Sequence, residues 1–280
     1  MKLGLIDVGG GMRGVYAAGV MDRFLDEGVQ VDVGIGLSAG SANIASFLAG
    51  QKGRNFPFYT EYPFRKEYMS LGNFLKKRSY LDLDYIYGTL SNRDGENPLD
   101  YEALMANPAQ FYIGACEALT GIPRFFTKED IRQDDYSVFK ASSAIPFACR
   151  PYAVHGVPCF DGALGDTVPV EKAFQLGCDK VILVLTKPRD EMRSPKRDEF
   201  IVNRIRRKYP AAAERLAGRA ERYNEGVILA KDYERIGKLL LLAPEDTCGV
   251  DTLKKDRDAL VRLYRLGYED GARVKAFLTE

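Results

Sequence analysis

Tryptophan is absent from this 280-residue chain, and histidine occurs once, as His155. A single imidazole excludes histidine-rich metal sites and leaves any serine–histidine–aspartate triad one candidate base. The five cysteines (Cys116, Cys149, Cys159, Cys178 and Cys248) form no CxxC pair, so neither a zinc knuckle nor a thioredoxin-like redox site is indicated. An odd, scattered set in a core-sized chain also argues against a disulfide framework. No apolar run approaches the ~18 residues of a membrane span. The N-terminal Met1–Asp7 lacks the long apolar region of a signal peptide and reads instead as a strand. An excess of one charge is missing too. Lys+Arg number 40 and Asp+Glu 39, a formal net charge of +1, which gives no electrostatic reason to expect nucleic acid as a partner. Together these absences predict a cytoplasmic protein that holds no metal.

What is present is enough apolar sequence, 46% of residues against 28% charged, to bury a large core. Leu3 to Val8 is a short strand-forming run that enters Gly9-Gly10-Gly11-Met12-Arg13-Gly14 and then a helical pattern stopped at Gly28. A second strand over Val31–Leu37 runs through Ser38 into a helix over Ala39–Ala49. This β-α-β-α opening predicts an α/β fold with a mainly parallel sheet. Ala109–Cys116, Lys180–Thr186 and Leu239–Ala243 read as further strands, and Asp135–Ala144 as a helix ended by Pro146. Pro151–Asp161 reads as a hairpin with His155-Gly156 as its two-residue turn. Residues 56–87 carry aromatics mixed with Lys and Arg at no clear period, the pattern of a loop-and-short-helix insertion. From Lys187 to Arg235 the chain turns helical and basic, with 14 Lys/Arg against 9 Asp/Glu; an ordinary solvated surface and a face toward an anionic bilayer both fit. The spacing of Leu253, Leu260, Leu263 and Phe277 predicts an amphipathic C-terminal helix. Residues 1–280 are expected to form a single catalytic domain, with 187–280 its largely helical C-terminal part.

Gly36-Leu37-Ser38-Ala39-Gly40 is a GxSxG sequence between a strand and a helix, the context a nucleophile elbow requires. Ser38 then stands at a helix N-terminus, whose dipole favours developing negative charge. Gly9 to Gly14 also satisfies GxGxxG, the dinucleotide-binding spacing. That use wants an acidic residue at the end of the second strand, whereas Asp32 lies at its beginning. A loop of free backbone N–H groups beside a serine serves better as an oxyanion hole, with Gly10 and Gly11 as donors. Asp161-Gly162 follows the hairpin's second arm, and a carboxylate there can take the Ser38 proton directly. A carboxylate is a weak base, and an alkoxide leaving group makes smaller demands on it than an amide does, so an esterase is expected rather than a protease. His155 at the hairpin tip is expected to be an exposed turn residue.

These three motifs, with Ala141-Ser142-Ser143-Ala144-Ile145-Pro146 before the aspartate loop, resemble the patatin-like phospholipases, in particular small bacterial members. The resemblance covers roughly residues 1–190. It implies a three-layer α/β/α fold and a Ser-Asp dyad, Ser38 as nucleophile and Asp161 as general base. It further implies Gly10 and Gly11 as oxyanion donors, Gly9, Gly14, Gly36, Gly40 and Gly162 as motif glycines, and Arg13 as a basic position that either meets a lipid phosphate or forms a structural ion pair. Acyl-ester hydrolysis of phospholipids, lysophospholipids or neutral lipids without a cofactor follows, with peripheral membrane contact. Val8, where many members carry another glycine, departs from the pattern. Two alternatives stand beside this reading: an NAD-binding protein using the first glycine loop, and an inactive lipid-binding scaffold. Nothing in the sequence fixes an oligomeric state.

Overall fold

Along the central strands apolar side chains alternate between two faces, and each face has its own helical cover. The computed structural model describes residues 1–279. Its strands are β1 (Leu3–Asp7), β2 (Val33–Leu37), β3 (Gln110–Glu117), β4 (Pro123–Thr127), β5 (Tyr152–Val154), β6 (Val157–Asp161), β7 (Lys180–Val184) and β8 (Leu239–Leu242). They form one sheet in the order β5-β6-β3-β2-β1-β7-β8, with β4 also paired to β3. The run β3-β2-β1-β7-β8 is parallel, while β4 and β6 are antiparallel to β3.

Leu5, Ile182, Val184, Leu240 and Leu242 point into one core, closed by α1 (Val15–Asp26), α2 (Ala39–Leu48) and the helix Arg257–Asp270. Ile6, Ile35, Val181, Leu183 and Leu241 point the other way, onto the helices Val170–Gln175 and Arg219–Arg235. The mainly parallel sheet is the one expected from the β-α-β-α opening, and the period of two in its strands produces the three-layer α/β/α arrangement implied by the family resemblance.

The hairpin forms as its turn residues require: His155 and Gly156 both take positive φ, 50° and 80°, as a two-residue turn of this twist demands. The helix read over Asp135–Ala144 is shorter, Ser137–Ser142. The cause is local: Asp134 sits at φ 63° and the Asp135 carboxylate accepts the Ser137 N–H, so the preceding turn is held out of the helix. The C-terminal helix starts only at Arg257, where Asp256 caps it through Ala259 N–H, and it passes through a 3₁₀ turn at Gly271–Arg273 before Val274–Thr279. The aromatic insertion comprises the helices Asn55–Thr60 and Leu71–Lys77, a 3₁₀ turn at Tyr62–Phe64 and a π-helical stretch Tyr85–Leu90. Strand β4 was not expected; its Pro-Arg-Phe-Phe-Thr sequence is too short for a periodic signal, and it exists because β3 offers it an edge.

Candidate active site

The register on β3 places the two motif residues. Tyr112 to Gly114 pair with both β2 and β4, so these two strands lie on opposite edges of β3. Ala115 and Cys116 pair with both β4 and β6, so β6 takes the edge that β2 uses. Leu37 lies opposite Gly114 and Asp161 opposite Ala115. Strands β2 and β6 thus run toward each other along one edge and end on consecutive residues of β3. Ser38 and Asp161 are delivered to the same place from opposite directions. This head-on meeting needs glycine: a Cβ at Gly114 would stand 2.2 Å from Leu37 Cδ2, and one at Gly162 would stand 2.3 Å from the Gly114 carbonyl oxygen.

Ser38 occupies φ 54°, ψ −132°, a strained conformation for a residue with a side chain, at the N-cap of α2. Long-range hydrogen bonds hold it there. The Ser142 hydroxyl accepts the Ser38 N–H at 2.9 Å and donates to Gly114 O at 2.6 Å, tying the elbow to β3. The Ser41 N–H and hydroxyl both donate to Ser38 O, at 3.0 and 2.7 Å. Both Ser38 and Asp161 are buried. Asp161 Oδ1 accepts the Ala163 N–H at 2.9 Å, while Oδ2 is shut off from solvent and no hydrogen bond of good geometry closes on it. Burial raises the Asp161 carboxyl above the usual carboxylate range; the neighbouring Ser38 hydroxyl and the Ala163 amide oppose that rise. Oδ2 is thus without a hydrogen-bond partner in the resting protein, a state common in sites that tighten only when substrate binds.

The glycine loop is compressed from three sides. Gly9, Gly10 and Gly11 all have positive φ (67°, 139° and 59°), and Cβ atoms there would stand 2.3 Å from Leu37 O, Thr186 Oγ1 and Thr252 O respectively. Gly9 N–H is consumed by Asp7 Oδ1 at 2.8 Å, and Met12 N–H by Thr252 O at 3.0 Å. Gly10 and Gly11 N–H make no hydrogen bond among the described residues and border the cleft with Ser38 and Asp161. Arg13 also borders it, but is almost fully buried and its Nη1 pairs with Asp251 at 2.5 Å. The ion-pair alternative is the one observed, and it clamps the loop after β8 against the glycine loop. His155 sits at the hairpin tip with its ring largely exposed and Nε2 2.7 Å from Asp130 Oδ1. Asp32 lies at the start of β2, where its carboxylate accepts the Leu3 N–H at 2.7 Å. It is at the opposite strand end from the glycine loop, away from where a ribose-binding acid would stand.

Supporting residues went unnoticed in the motifs. Asp7 is fully buried, accepts from Gly9 N–H and Asn43 Nδ2, and is pushed by burial up to about 6. Asn43 in turn accepts from Tyr59 OH at 3.0 Å, and Thr186 Oγ1 donates to Gly9 O at 2.5 Å. A charged residue ending an otherwise apolar strand was the one available signal, at Asp7. Two cavities meet at Ser38. One is apolar and runs along α2 past Ala42 and Ala45 beneath Phe58, Leu83 and Ile86. The other is the more polar of the two and opens beside Asp161, Arg193 and Arg219.

A strained strand–serine–helix turn on a three-layer sheet, with a buried aspartate brought alongside, defines an α/β protein of the nucleophile-elbow type. Over residues 8–174 the sequence matches the patatin-like phospholipases, and the chain belongs to that family. Residues 209–278 match a domain of unknown function, DUF6363. Among curated proteins the chain is 28% identical over 192 residues to the uncharacterized protein YjjU of Escherichia coli strain K12, covering 67% of this chain. The chain spans about half the length of that relative, 52%. Among solved structures it is similar to VipD from Legionella pneumophila, with a TM-score of 0.50 and 13% identity, over 98% of this chain and 66% of that one. That likeness concerns the fold.

Proposed function

We propose that this protein is a serine acyl hydrolase that cleaves carboxylic ester bonds of lipids through Ser38 and Asp161. The observation that carries the reading is the convergence of β2 and β6 on β3, which sets a buried carboxylate with one unpartnered oxygen beside a serine at a strained elbow. In the first step Ser38 Oγ attacks the ester carbonyl carbon while its proton passes to Asp161 Oδ2. The oxyanion is received by the Gly10 and Gly11 N–H groups, which border the cleft and make no hydrogen bond among the described residues. Collapse breaks the bond to the leaving alkoxide, which takes the proton from Asp161. A water then repeats the sequence on the acyl-enzyme, giving up a proton to Asp161, and the acid leaves as Ser38 is reprotonated.

The apolar cavity fits the acyl chain. Ala42 and Ala45 lie along one side of α2 leading away from Ser38, and their small side chains leave the channel open. Ala45→Leu should therefore shorten it: the ratio of kcat/KM for p-nitrophenyl palmitate to that for the butyrate should fall roughly tenfold or more. Absence of turnover on every ester would sink the hydrolase reading, whereas an unchanged chain-length profile would sink only the assignment of this cavity.

Peripheral membrane contact is part of the same proposal, and its support is an apolar rim rather than the basic segment 187–235 as a whole. Among the described residues no helix is long and apolar enough to cross a membrane. Leu71 and Leu75 on one side of the helix Leu71–Lys77 are 74% and 82% exposed, and Phe200 is 57% exposed. Phe74, Phe147 and Phe200 form a string with ring centroids 6.0 and 5.4 Å apart, and Phe147 borders the cleft at the strained φ of 71°. Lys76 lies on the same helix and Arg78 caps its C-terminus, and the Arg204 guanidinium lies 5.4 Å from the Phe200 ring. Exposed apolar groups flanked by cations at a cleft mouth suit an anionic bilayer. Leu75→Glu combined with Phe200→Glu should reduce sedimentation with anionic vesicles by about tenfold; equal sedimentation of the variant and the wild type would reject this face. We propose further that residues 1–280 act as one unit, because β8 completes the sheet and Asp251 and Thr252 hold the glycine loop.

A further inference from the structure

The polar cleft carries five basic side chains: Arg13, Lys187, Arg193, Arg197 and Arg219. Three of them are neutralised within the protein. Arg13 meets Asp251, Lys187 meets Glu191, and Arg219 grips Asp198 through bonds of 3.0 and 2.5 Å. Arg197 is exposed to solvent. Arg193 differs from all of these. It is half-buried, its Nε is closed off from solvent without a partner, and its guanidinium forms no ion pair with any described residue.

Arg193 is nevertheless held in place. Asn224 Oδ1 accepts its N–H at 2.8 Å, Asn224 Nδ2 donates to its carbonyl oxygen at 3.1 Å, and the guanidinium carbon lies 4.0 Å from the Tyr223 ring centroid. Both partners belong to the helix Arg219–Arg235, so a rigid element presents the cation to the cleft. Burial pulls its pKa down to about 10, which leaves it charged at neutral pH. A half-buried cation beside two others is unfavourable unless an anion completes the site. A guanidinium fork matches the oxygens of a tetrahedral phosphate in particular.

We propose that Arg193 anchors the phosphate of a phosphate-bearing lipid substrate, in the cleft beside Asp161 and opposite the acyl-chain cavity. The proposal rests on the acyl-hydrolase reading and names the residue that would make that site prefer a phosphate-bearing lipid over a neutral one. The cleft lies on the Asp161 side of Ser38 and the apolar cavity on the α2 side. An ester at Ser38 then sends its acyl chain one way and its headgroup the other. A competing role exists: Arg193 and Arg219 both favour the charged form of Asp161, so Arg193 acting only through the base would affect every ester alike.

The test compares lysophosphatidic acid with the monoacylglycerol of the same chain. For Arg193→Gln the ratio of their kcat/KM values should fall roughly 10- to 100-fold, with partial recovery in Arg193→Lys. In a Ser38→Ala background, which removes turnover from the measurement, calorimetry should show lysophosphatidic acid binding weakened by a similar factor when Arg193 is Gln. Parallel titrations with glycerol 3-phosphate and inorganic phosphate separate a lipid site from a free-phosphate site. Binding only of the lipid, or of the lipid and glycerol 3-phosphate, supports the proposal; tightest binding of inorganic phosphate alone overturns it. An unmoved substrate ratio with a shifted pH profile would assign Arg193 to the base instead. If no ester is turned over, the hydrolase reading fails, and unimpaired lysophosphatidic acid binding by the Gln variant still overturns the phosphate site separately.

Discussion

Ser38→Ala should lower kcat for p-nitrophenyl esters by at least on the order of 10⁴-fold, since the loss of a nucleophile cannot be compensated by the oxyanion donors that remain. The variant should keep the wild-type fold. The hydrogen bonds that hold the elbow run through the Ser38 N–H and carbonyl, to Ser142 Oγ and from Ser41, and these survive removal of the hydroxyl. The strain at φ 54° also survives, because alanine retains the Cβ. Ser38→Gly supplies the complementary readout: it should be equally inactive but more stable than Ser38→Ala, by about 1 kcal/mol, because glycine adopts positive φ freely. A fluorophosphonate probe should label the wild type and neither variant. His155→Ala is the control and should turn over esters close to the wild-type rate, since its ring is tied to Asp130 at the hairpin tip. Substantial turnover by Ser38→Ala, or loss of turnover in His155→Ala with its fold intact, would reject the dyad.

Asp161→Asn should cost kcat on the order of 10³- to 10⁴-fold and, at neutral pH, stabilise the protein. The amide keeps an oxygen for the Ala163 N–H but cannot accept the Ser38 proton. The stability gain follows from burial, which raises the folded-state pKa of Asp161 above its ordinary value of 3.8. A raised carboxyl pKa means the native state binds the proton more tightly than the unfolded state does. The resulting stability is fully present below the unfolded pKa and is lost as pH rises through the folded value. Asparagine carries no such loss. The excess Tm of Asp161→Asn over wild type should therefore be near zero in acid and grow toward neutral pH, by about 2–4 °C per kcal/mol. Asp7, whose pKa is also raised, is present in both proteins and cancels in the difference. Scanning calorimetry across pH reads this directly; a Tm difference independent of pH would contradict the charged, desolvated base. In the wild type the acid limb of kcat/KM should lie above the ordinary aspartate range, because the base must lose its proton to act.

The two catalytic candidates were legible for different reasons than their helpers. A serine between glycines at a strand–helix junction and an aspartate-glycine pair after a hairpin are local patterns, because tight backbone turns admit few residue types. Gly9 to Gly11 were legible on the same grounds. Ser142 stood in the segment before the aspartate loop, but its role was not legible there: it holds the Ser38 N–H across 104 residues of sequence and donates to Gly114 O on β3. Arg13 illustrates the limit from the other side. Its place in the glycine loop left two roles open, and the ion pair it makes with Asp251, far away in the chain, could not be read from the loop.

By itself the sequence determined the alternating strands, the helices that cover them, the positive-φ turns and the residues proposed as nucleophile, base and oxyanion donors. Local sterics and hydrophobic periodicity leave these little freedom. Tertiary structure alone decided that β6 follows β2 on a single edge of β3, that the aromatic insertion roofs an apolar channel starting at Ser38, and that Arg193 has no ion-pair partner among the described residues. Each of those depends on pairing register or on the distribution of charge among residues distant in sequence, where no short-range rule operates. The lone histidine draws on both: its scarcity argued against histidine-rich metal sites from the outset, and the fold places it at an exposed turn beside Asp130.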